Sequence, residues 1–317
     1  MANTRQQFVL LLVSVVLGFS LFNIFKLNNN QSKEVLNRWS SSPAVLIQKN
    51  KHPSPISSYK AASPSSTALL HQTPDWKTVN VSTLQPQQII DFFHWTNSTS
   101  CKLAHDFGGK LMRHPSGFDG QKSICLDPKV RPSEDHCIIY SFGINNSDSS
   151  FDETMEKYGC RVFTFDPSSM NVSNRNHSST QKIHFFNFGL ASRDYVDDGR
   201  NWTLKTLSST YKMLLLHHEE AAIIDYLKID IDSAEWDVLP QIISSGMLTK
   251  VRQLGVTFHL SANEDLQHYR SRVAIIKSIE DTGMVRFSSK YIPRYMGQIK
   301  ALGNYTGSLR FEIAFYS

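Results

Sequence analysis

The 317-residue sequence contains no run of five or six like charges, and its net charge of +5 is spread thinly over scattered basic residues. That distribution leaves no footprint for nucleic acid. Cysteine is scarce, with Cys101, Cys125, Cys137 and Cys160 only. No C-x-x-C pair occurs, which argues against a zinc site. There is no G-x-G-x-x-G fingerprint either. Aromatic residues thin out between Lys26 and about Asp75, where Ser and Pro accumulate in stretches such as "KHPSPISSYKAASPSS". Such a composition cannot bury a core, so residues 26–75 read as an extended, disordered stem. The chain as a whole is nonetheless 40% apolar and 19% charged, as a globular protein is.

What is present begins with Phe8 to Phe25, "FVLLLVSVVLGFSLFNIF", an uncharged run long enough to cross a bilayer. Lys26-Leu27-Asn28 makes a poor cleavage site, so the run reads as a signal anchor, with a cleaved signal and a secreted product as the alternative. Asn-x-Ser/Thr sequons occur at Asn30, Asn80, Asn97, Asn145, Asn171, Asn176, Asn201 and Asn304, all after that run. Chance would supply about three. The expectation is a single-pass type II protein of the Golgi or endoplasmic reticulum: tail and anchor in 1–25, stem in 26–75 and a lumenal domain in 76–317. Its membrane contact is the anchor.

From Trp76 the pattern becomes globular. "QQIIDFFHWT" reads as a helix with Ile89, Ile90, Phe93 and Phe92 inward. "FGGKL" and "GFDGQKSICLD" read as loop-rich, with one short strand near Ile124, together forming an N-terminal cap. Then strands and helices alternate. "CIIYSFGI", "RVFTFD", "KIHFFNFGL", "IDYLKIDID" and "VRQLGVTFHL" are strands. "SSFDETMEKYGC", "YKMLLLHHEEAA", "AEWDVLPQIISSGM" and "LQHYRSRVAIIKSIEDTG" are helices. His217 and His218, beside Glu219-Glu220, are expected on a solvated face. "GMVRFSSKYI" and "LRFEIAFYS" are expected to form an antiparallel hairpin at one sheet edge. Alternation of this kind means βαβ units and a mostly parallel sheet, with ligands at the carboxyl ends of its strands.

Cys137 and Cys160 begin the first and second strands, which lie about 4.8 Å apart if paired. A Cys137–Cys160 disulfide is therefore expected, and Cys101–Cys125 by elimination.

"SFGINN" follows the first strand and precedes a helix. Gly143 lets the backbone approach a ligand, with Phe142 and Asn145 flanking it. Asp166 ends the next strand, 23 residues on, where an acidic side chain holds a ribose diol in nucleoside-binding βαβ folds. The competing reading is a turn-forming Asp before Pro167. A glycan on Asn145 would block this loop, so that sequon is expected bare.

The segments "CIIYSFGINN…TFDPS", "FNFGLAS", "KTLSS", "LKIDIDSAEWDVL" and "SGML" resemble the lumenal, single-anchor methyltransferase-like proteins related to the FkbM class. Lys228, Asp230 and Glu235 match that class; Asp232-Ser233 stands where Glu-Gly is common. Strand five, often ending E-x-H, here reads Thr257-Phe258-His259, so the acidic position is missing. The resemblance implies a Rossmann-like methyltransferase fold with a seven-stranded sheet, helices on both faces and S-adenosylmethionine as cofactor. Asp230, Asp232 and His259 are the catalytic candidates; Phe142, Gly143, Asn145, Asp166 and Asp230 are the cofactor-binding ones. The expected acceptor is a hydroxyl on a glycan or small molecule, with His259 or Asp232 taking its proton. Two alternatives stay open: a glycosyltransferase using Asp230-Ile231-Asp232 as a metal-binding D-x-D, and a catalytically silent binding protein.

Overall fold

The computed structural model describes residues 75–113, 116–144, 148–168, 182–218 and 222–317. The apolar run, the stem, Asn145 and the sequons at 30, 171 and 176 lie outside them. Among the described residues, no helix is long and apolar enough to cross a membrane.

Helix α1 (Pro86–His94) is followed by four short strands, β1 (Ala104–Phe107), β2 (Lys110–Arg113), β3 (Ser116–Asp119) and β4 (Lys122–Cys125). Next come β5 (Ile138–Phe142), α2 (Ser150–Tyr158), β6 (Arg161–Phe165) and β7 (Ile183–Phe186). Strands β8 (Gly189–Leu190), β9 (Tyr195–Asp197) and β10 (Trp202–Lys205) form a small sheet of their own. Helix α3 (Leu207–Met213) leads to β11 (Tyr226–Ile229), α4 (Glu235–Ser244), β12 (Gln253–His259) and α5 (Leu266–Asp281). The chain closes with β13 (Val285–Tyr291), β14 (Met296–Ile299), β15 (Tyr305–Ser308) and β16 (Arg310–Tyr316).

The central sheet runs β13-β16-β12-β11-β5-β6-β7, and only β16 is antiparallel to its neighbours. Counted by position in the chain, the seven strands lie in the order 3-2-1-4-5-7-6. The direction of winding reverses between β5 and β11, and a crevice opens at their carboxyl ends. This is the Rossmann-like α/β architecture expected.

Side chains alternate across each strand, so the two faces separate cleanly. One face carries Tyr140, Phe142, Leu227, Ile229, Leu254, Val256, Phe258, Phe311 and Ile313, in one core with residues of α1, α4 and α5. The other carries Ile139, Val162 and Tyr226, packed with Phe151 and Met155 of α2 and with Phe107 and Ile124 of the cap. That second face also buries polar groups: Ser141, Asp152, Thr164, Lys228, Thr257 and Glu312.

Four expectations need correction. The cap is not loop-rich with one strand: β1 pairs with β4, and β2 with β3, as nested antiparallel ladders. The last two long strands pair but do not form an edge hairpin. Residues 311–315 of β16 are buried throughout, so β16 inserts between β12 and β13, and β13 alone is the edge. The third strand stops at Phe186, because Gly189 and Leu190 turn away to pair with β10. His218 is buried rather than solvated, 2.5 Å from the Tyr140 hydroxyl.

Both expected disulfides are formed, Cys101–Cys125 and Cys137–Cys160.

Candidate active site

The switch point is built by three strand tips. Gly143 has φ +77°, and a Cβ there would lie 1.8 Å from the Asp230 carbonyl oxygen, so only glycine lets the β5 loop run against the end of β11. The Asp230 N–H donates to the Phe142 carbonyl at 3.1 Å. From below, the buried Lys228 ammonium donates to the Gly143 carbonyl at 2.7 Å. Burial holds Lys228 below the ordinary lysine value, against the pull of Asp152 and Asp230.

After β11 the chain turns through Asp232 (φ 49°) and Ser233 (φ 79°), both left-handed non-glycine residues. Each costs on the order of 1–3 kcal/mol, strain that clusters at functional turns. The turn delivers Glu235 into α4 with its side chain fully buried. Glu235 Oε1 accepts from the His259 backbone N–H at 2.8 Å and lies 3.0 Å from His259 Nδ1. Trp236 Nε1 donates to the His259 carbonyl at 2.8 Å. The first turn of α4 therefore clamps His259 on its main chain and on one ring nitrogen. An oxygen accepting from both groups places the ring proton on Nδ1 and leaves Nε2 as an acceptor. Nε2 is buried without a hydrogen-bond partner, 3.8 Å from Asp230 Oδ1 and 3.7 Å from Asp232 Oδ1.

Asp230 is tied down on its other side. Its Oδ2 lies 3.3 Å from Lys122 Nζ, which also donates to Glu312 Oε2 at 2.6 Å and Thr257 Oγ1 at 2.7 Å. Thr257 in turn donates to Glu312 at 2.8 Å. Burial raises the Asp230 carboxyl, but Lys122, then Lys228 and His259, outweigh it and hold the group below the ordinary aspartate value. Glu312, wholly buried, is pushed up by burial despite Lys122. Burial would depress Lys122, yet its two carboxylates carry it above the ordinary lysine value.

Lys228, Asp230, Asp232 and Thr257 border a crevice of about 290 Å³, and His259, Glu235, Lys122 and Glu312 lie buried behind its lining. Its floor is Gly143, Ile144, Lys228, Asp230 and Thr257; Asp148 and Asp232 flank it. Lys110, Met112 and Asp119 of the β2–β3 hairpin cover one side, and Ile292, Arg294, Tyr295 and Arg310 the other. The Arg310 guanidinium stacks over Tyr295 at 3.4 Å and lies 3.7 Å from Asp232.

The structure brings Asp230, Asp232, His259 and Gly143 together. Asp166 stands beside the crevice rather than in its lining: its carboxylate accepts from the Ile144 N–H at 3.2 Å and from Ser168 N and Oγ at 2.8 and 2.6 Å. The Phe142 ring does not face the crevice but stacks on Phe165 at 4.3 Å in the core, so only its main chain serves the site. Asn145 lies outside the described residues. Sequence reasoning missed Lys122 and Glu312, and it noted Glu235 only as a match to the family pattern, without a role. The signal for Glu312 was an acidic residue inside the apolar run "RFEIAFY". It sits directly opposite Thr257 in the ladder, so a neighbouring strand supplies the carboxylate that strand five lacks.

A metal-binding D-x-D fits this geometry poorly. Among the described residues the one His/Cys/Asp/Glu cluster compact enough for a metal is Cys101, Cys125 and Asp127, whose cysteines are joined in a disulfide. Asp230 and Asp232 straddle the His259 imidazole rather than converging on one point.

Residues 83–300 match the model of a family described as a methyltransferase domain. The chain is 26% identical over 213 residues to the human probable methyltransferase-like protein 24, covering 62% of this chain and 56% of that protein. It is 30% identical over 148 residues to the rat protein of that name, covering 43% and 38%. The chain thus spans little more than half of the human relative and less of the rat one. Among solved structures it is similar to the FkbM methyltransferase of Methylobacillus flagellatus, with a TM-score of 0.35 and 12% identity, over 60% of this chain and 46% of that one.

Proposed function

The chain belongs to the methyltransferase-domain family that it matches over residues 83–300, and on that premise we propose that it is an S-adenosylmethionine-dependent O-methyltransferase of the secretory pathway. The observation that carries the reading is His259, clamped through Nδ1 by buried Glu235, with Nε2 unpaired between the two carboxylates bordering the crevice.

The residues present fit the cofactor. The Gly143 loop comes close enough to the β11 tip to leave main chain, not side chain, at the crevice. Asp230 offers a carboxylate suited to a cationic ligand, held below the ordinary value and 28% exposed. Asp166 braces the loop through Ile144 N from the tip of β6, the strand position that holds a ribose in nucleoside-binding βαβ folds. When bound, S-adenosylmethionine supplies a methyl group on a positively charged sulfur. The chain's own task is to orient the acceptor and remove its proton. Lys228 fixes the loop, Asp230 faces the positive charge, and His259 Nε2 takes the proton of an acceptor hydroxyl. Glu235 keeps the opposite ring nitrogen protonated and stabilises the imidazolium that results. Asp232, 66% exposed, stands between solvent and Nε2, on the side from which the hydroxyl would approach.

Sequons beyond the apolar run and two disulfides support a lumenal setting. There the acceptor class is a glycan or secreted small-molecule hydroxyl, with the apolar run as anchor. The test is methyl transfer from labelled S-adenosylmethionine to glycan and small-molecule fractions of the secretory pathway. His259→Gln should keep its affinity for S-adenosylhomocysteine while transfer falls about a hundredfold or more, as loss of a general base predicts. Transfer equal to wild type would remove His259 from the chemistry.

A further inference from the structure

Behind the crevice, Asp230 is held by a residue from outside the α/β core. Strand β4 lies across the polar face of the sheet, and every residue in it is buried. The core grips this strand at several points. Gln253 of β12 bonds both the Cys125 N–H and the Cys125 carbonyl at 2.8 Å. Tyr226 of β11 donates to the Ser123 carbonyl at 3.1 Å. The Ser123 hydroxyl lies 3.0 Å from that of Ser288 on β13, and the Cys101–Cys125 disulfide ties the strand to the start of the cap. Lys122 therefore enters the site from a fixed position, with 1% of its side chain exposed.

Five charged groups then succeed one another across the sheet, alternating in sign: Asp152 on α2, Lys228 and Asp230 from β11, Lys122 from β4 and Glu312 on β16. Four of them are buried; Asp230, at the tip of β11, is the member with a substantial share of its side chain exposed, 28%, towards the crevice. The groups facing Asp230 are Lys122 from β4, Lys228 from its own strand, and Thr257 and His259 from β12. A buried Lys–Glu pair alone is a weak device for stability, and an apolar pair would serve as well. The third contact, to Asp230, is the one that a bracing role leaves unexplained.

Resting on the methyltransferase reading, we propose that Lys122 is a positioning residue for the reaction: it holds the Asp230 carboxylate, in charge and in place, at the donor side of the crevice. The N-terminal cap is on this account part of the site. Lys122 divides its three donors among Glu312, Thr257 and Asp230, so one ammonium fixes the orientation of Asp230 Oδ2 and leaves Oδ1 towards His259.

The experiment is carbon-13 NMR of the full chain labelled at aspartate side-chain carboxyls, with the Asp230 signal identified by its loss in Asp230→Asn. Lys122→Met should raise the Asp230 titration midpoint by about one unit or more, the size of shift a close opposite charge produces. Lys122→Arg, which keeps the charge, should restore it. Donor affinity on the same samples should fall about tenfold in Lys122→Met and recover in Lys122→Arg. If Lys122→Met does not fold, Glu312→Gln serves, since it frees Lys122 for Asp230 and should lower the Asp230 midpoint. An Asp230 midpoint that moves in neither variant overturns the proposal, as does undiminished donor affinity in Lys122→Met. If wild type binds no S-adenosylmethionine while the midpoint shifts as described, the methyltransferase reading fails and the Lys122–Asp230 coupling stands. If wild type binds it and the midpoint is fixed, the coupling fails and the reading stands.

Discussion

Replacing Glu235 by leucine separates the clamp on His259 from ordinary packing. Glu235 is fully buried, and its Oε1 accepts from both the backbone N–H and the Nδ1 of His259. Leucine fills most of the space but accepts nothing, so two buried donors lose their partner. Each unsatisfied donor costs about 1–3 kcal/mol. Removing a buried carboxylate whose Oε2 has no partner returns part of that, leaving about 2–4 kcal/mol of destabilisation. For a domain of this size each kcal/mol moves Tm by roughly 2–4 °C, so Glu235→Leu should melt about 4–16 °C below wild type. Glu235→Gln keeps an acceptor oxygen and should lose only about 1 kcal/mol, the difference between a charge-assisted and a neutral hydrogen bond. Calorimetric melting of the three proteins at one pH and scan rate decides it. A leucine variant no less stable than the glutamine variant would mean that Glu235 does not hold His259, and the tautomer argument would go with it.

Three other outcomes follow from groups away from the imidazole. Burial holds the Asp152 carboxyl above its ordinary value despite Lys228. The folded state then binds the Asp152 proton more tightly than the unfolded one, so wild type gains stability as pH falls through the window between the raised and the ordinary value. Asp152→Asn lacks that gain: it should be more stable than wild type at pH 8, by a margin that narrows at pH 5, and an equal margin in urea unfolding at both would contradict this. Replacing Cys137 and Cys160 together by alanine opens a loop of sequence separation 23 and should cost about 3 kcal/mol in denaturant unfolding; a loss under about 1 kcal/mol would show that the β5–β6 ladder needs no staple. Asn80, Asn201 and Asn304 are exposed, so peptide N-glycosidase should lower the apparent mass of protein made in animal cells, and no shift would undo the lumenal assignment.

The parts of the fold that were legible in the sequence are those set by local chemistry. Strand tips ending in Gly143, Asp166, Asp230 and His259 announce themselves because polar or glycine residues interrupt apolar runs. Cys137 and Cys160 could be paired because both begin adjacent strands. What escaped depends on contacts distant in sequence. Nothing local places β16 between β12 and β13; that follows from burial of residues 311–315 on both sides. His218 looked solvated beside two glutamates, yet its partner is Tyr140, 78 residues away. Lys122 sits in a stretch that resembles a loop, and its acceptors lie 108, 135 and 190 residues downstream. A lysine before a short apolar strand is ordinarily a solvated one, so burial could not be read from its neighbours.

The central claim is that the crevice between β5 and β11 is a nucleoside site for a methyl donor, not a metal-dependent nucleotide-sugar site. Calorimetric titration of the full chain with S-adenosylhomocysteine, and separately with UDP plus manganese, tests it most directly. Saturable one-to-one binding of S-adenosylhomocysteine is expected, weakened about tenfold or more by Asp166→Ala through loss of the hydrogen bonds its side chain accepts, with no manganese-dependent binding of UDP. Tight UDP–manganese binding that disappears in Asp232→Ala, with no heat from S-adenosylhomocysteine, would contradict it.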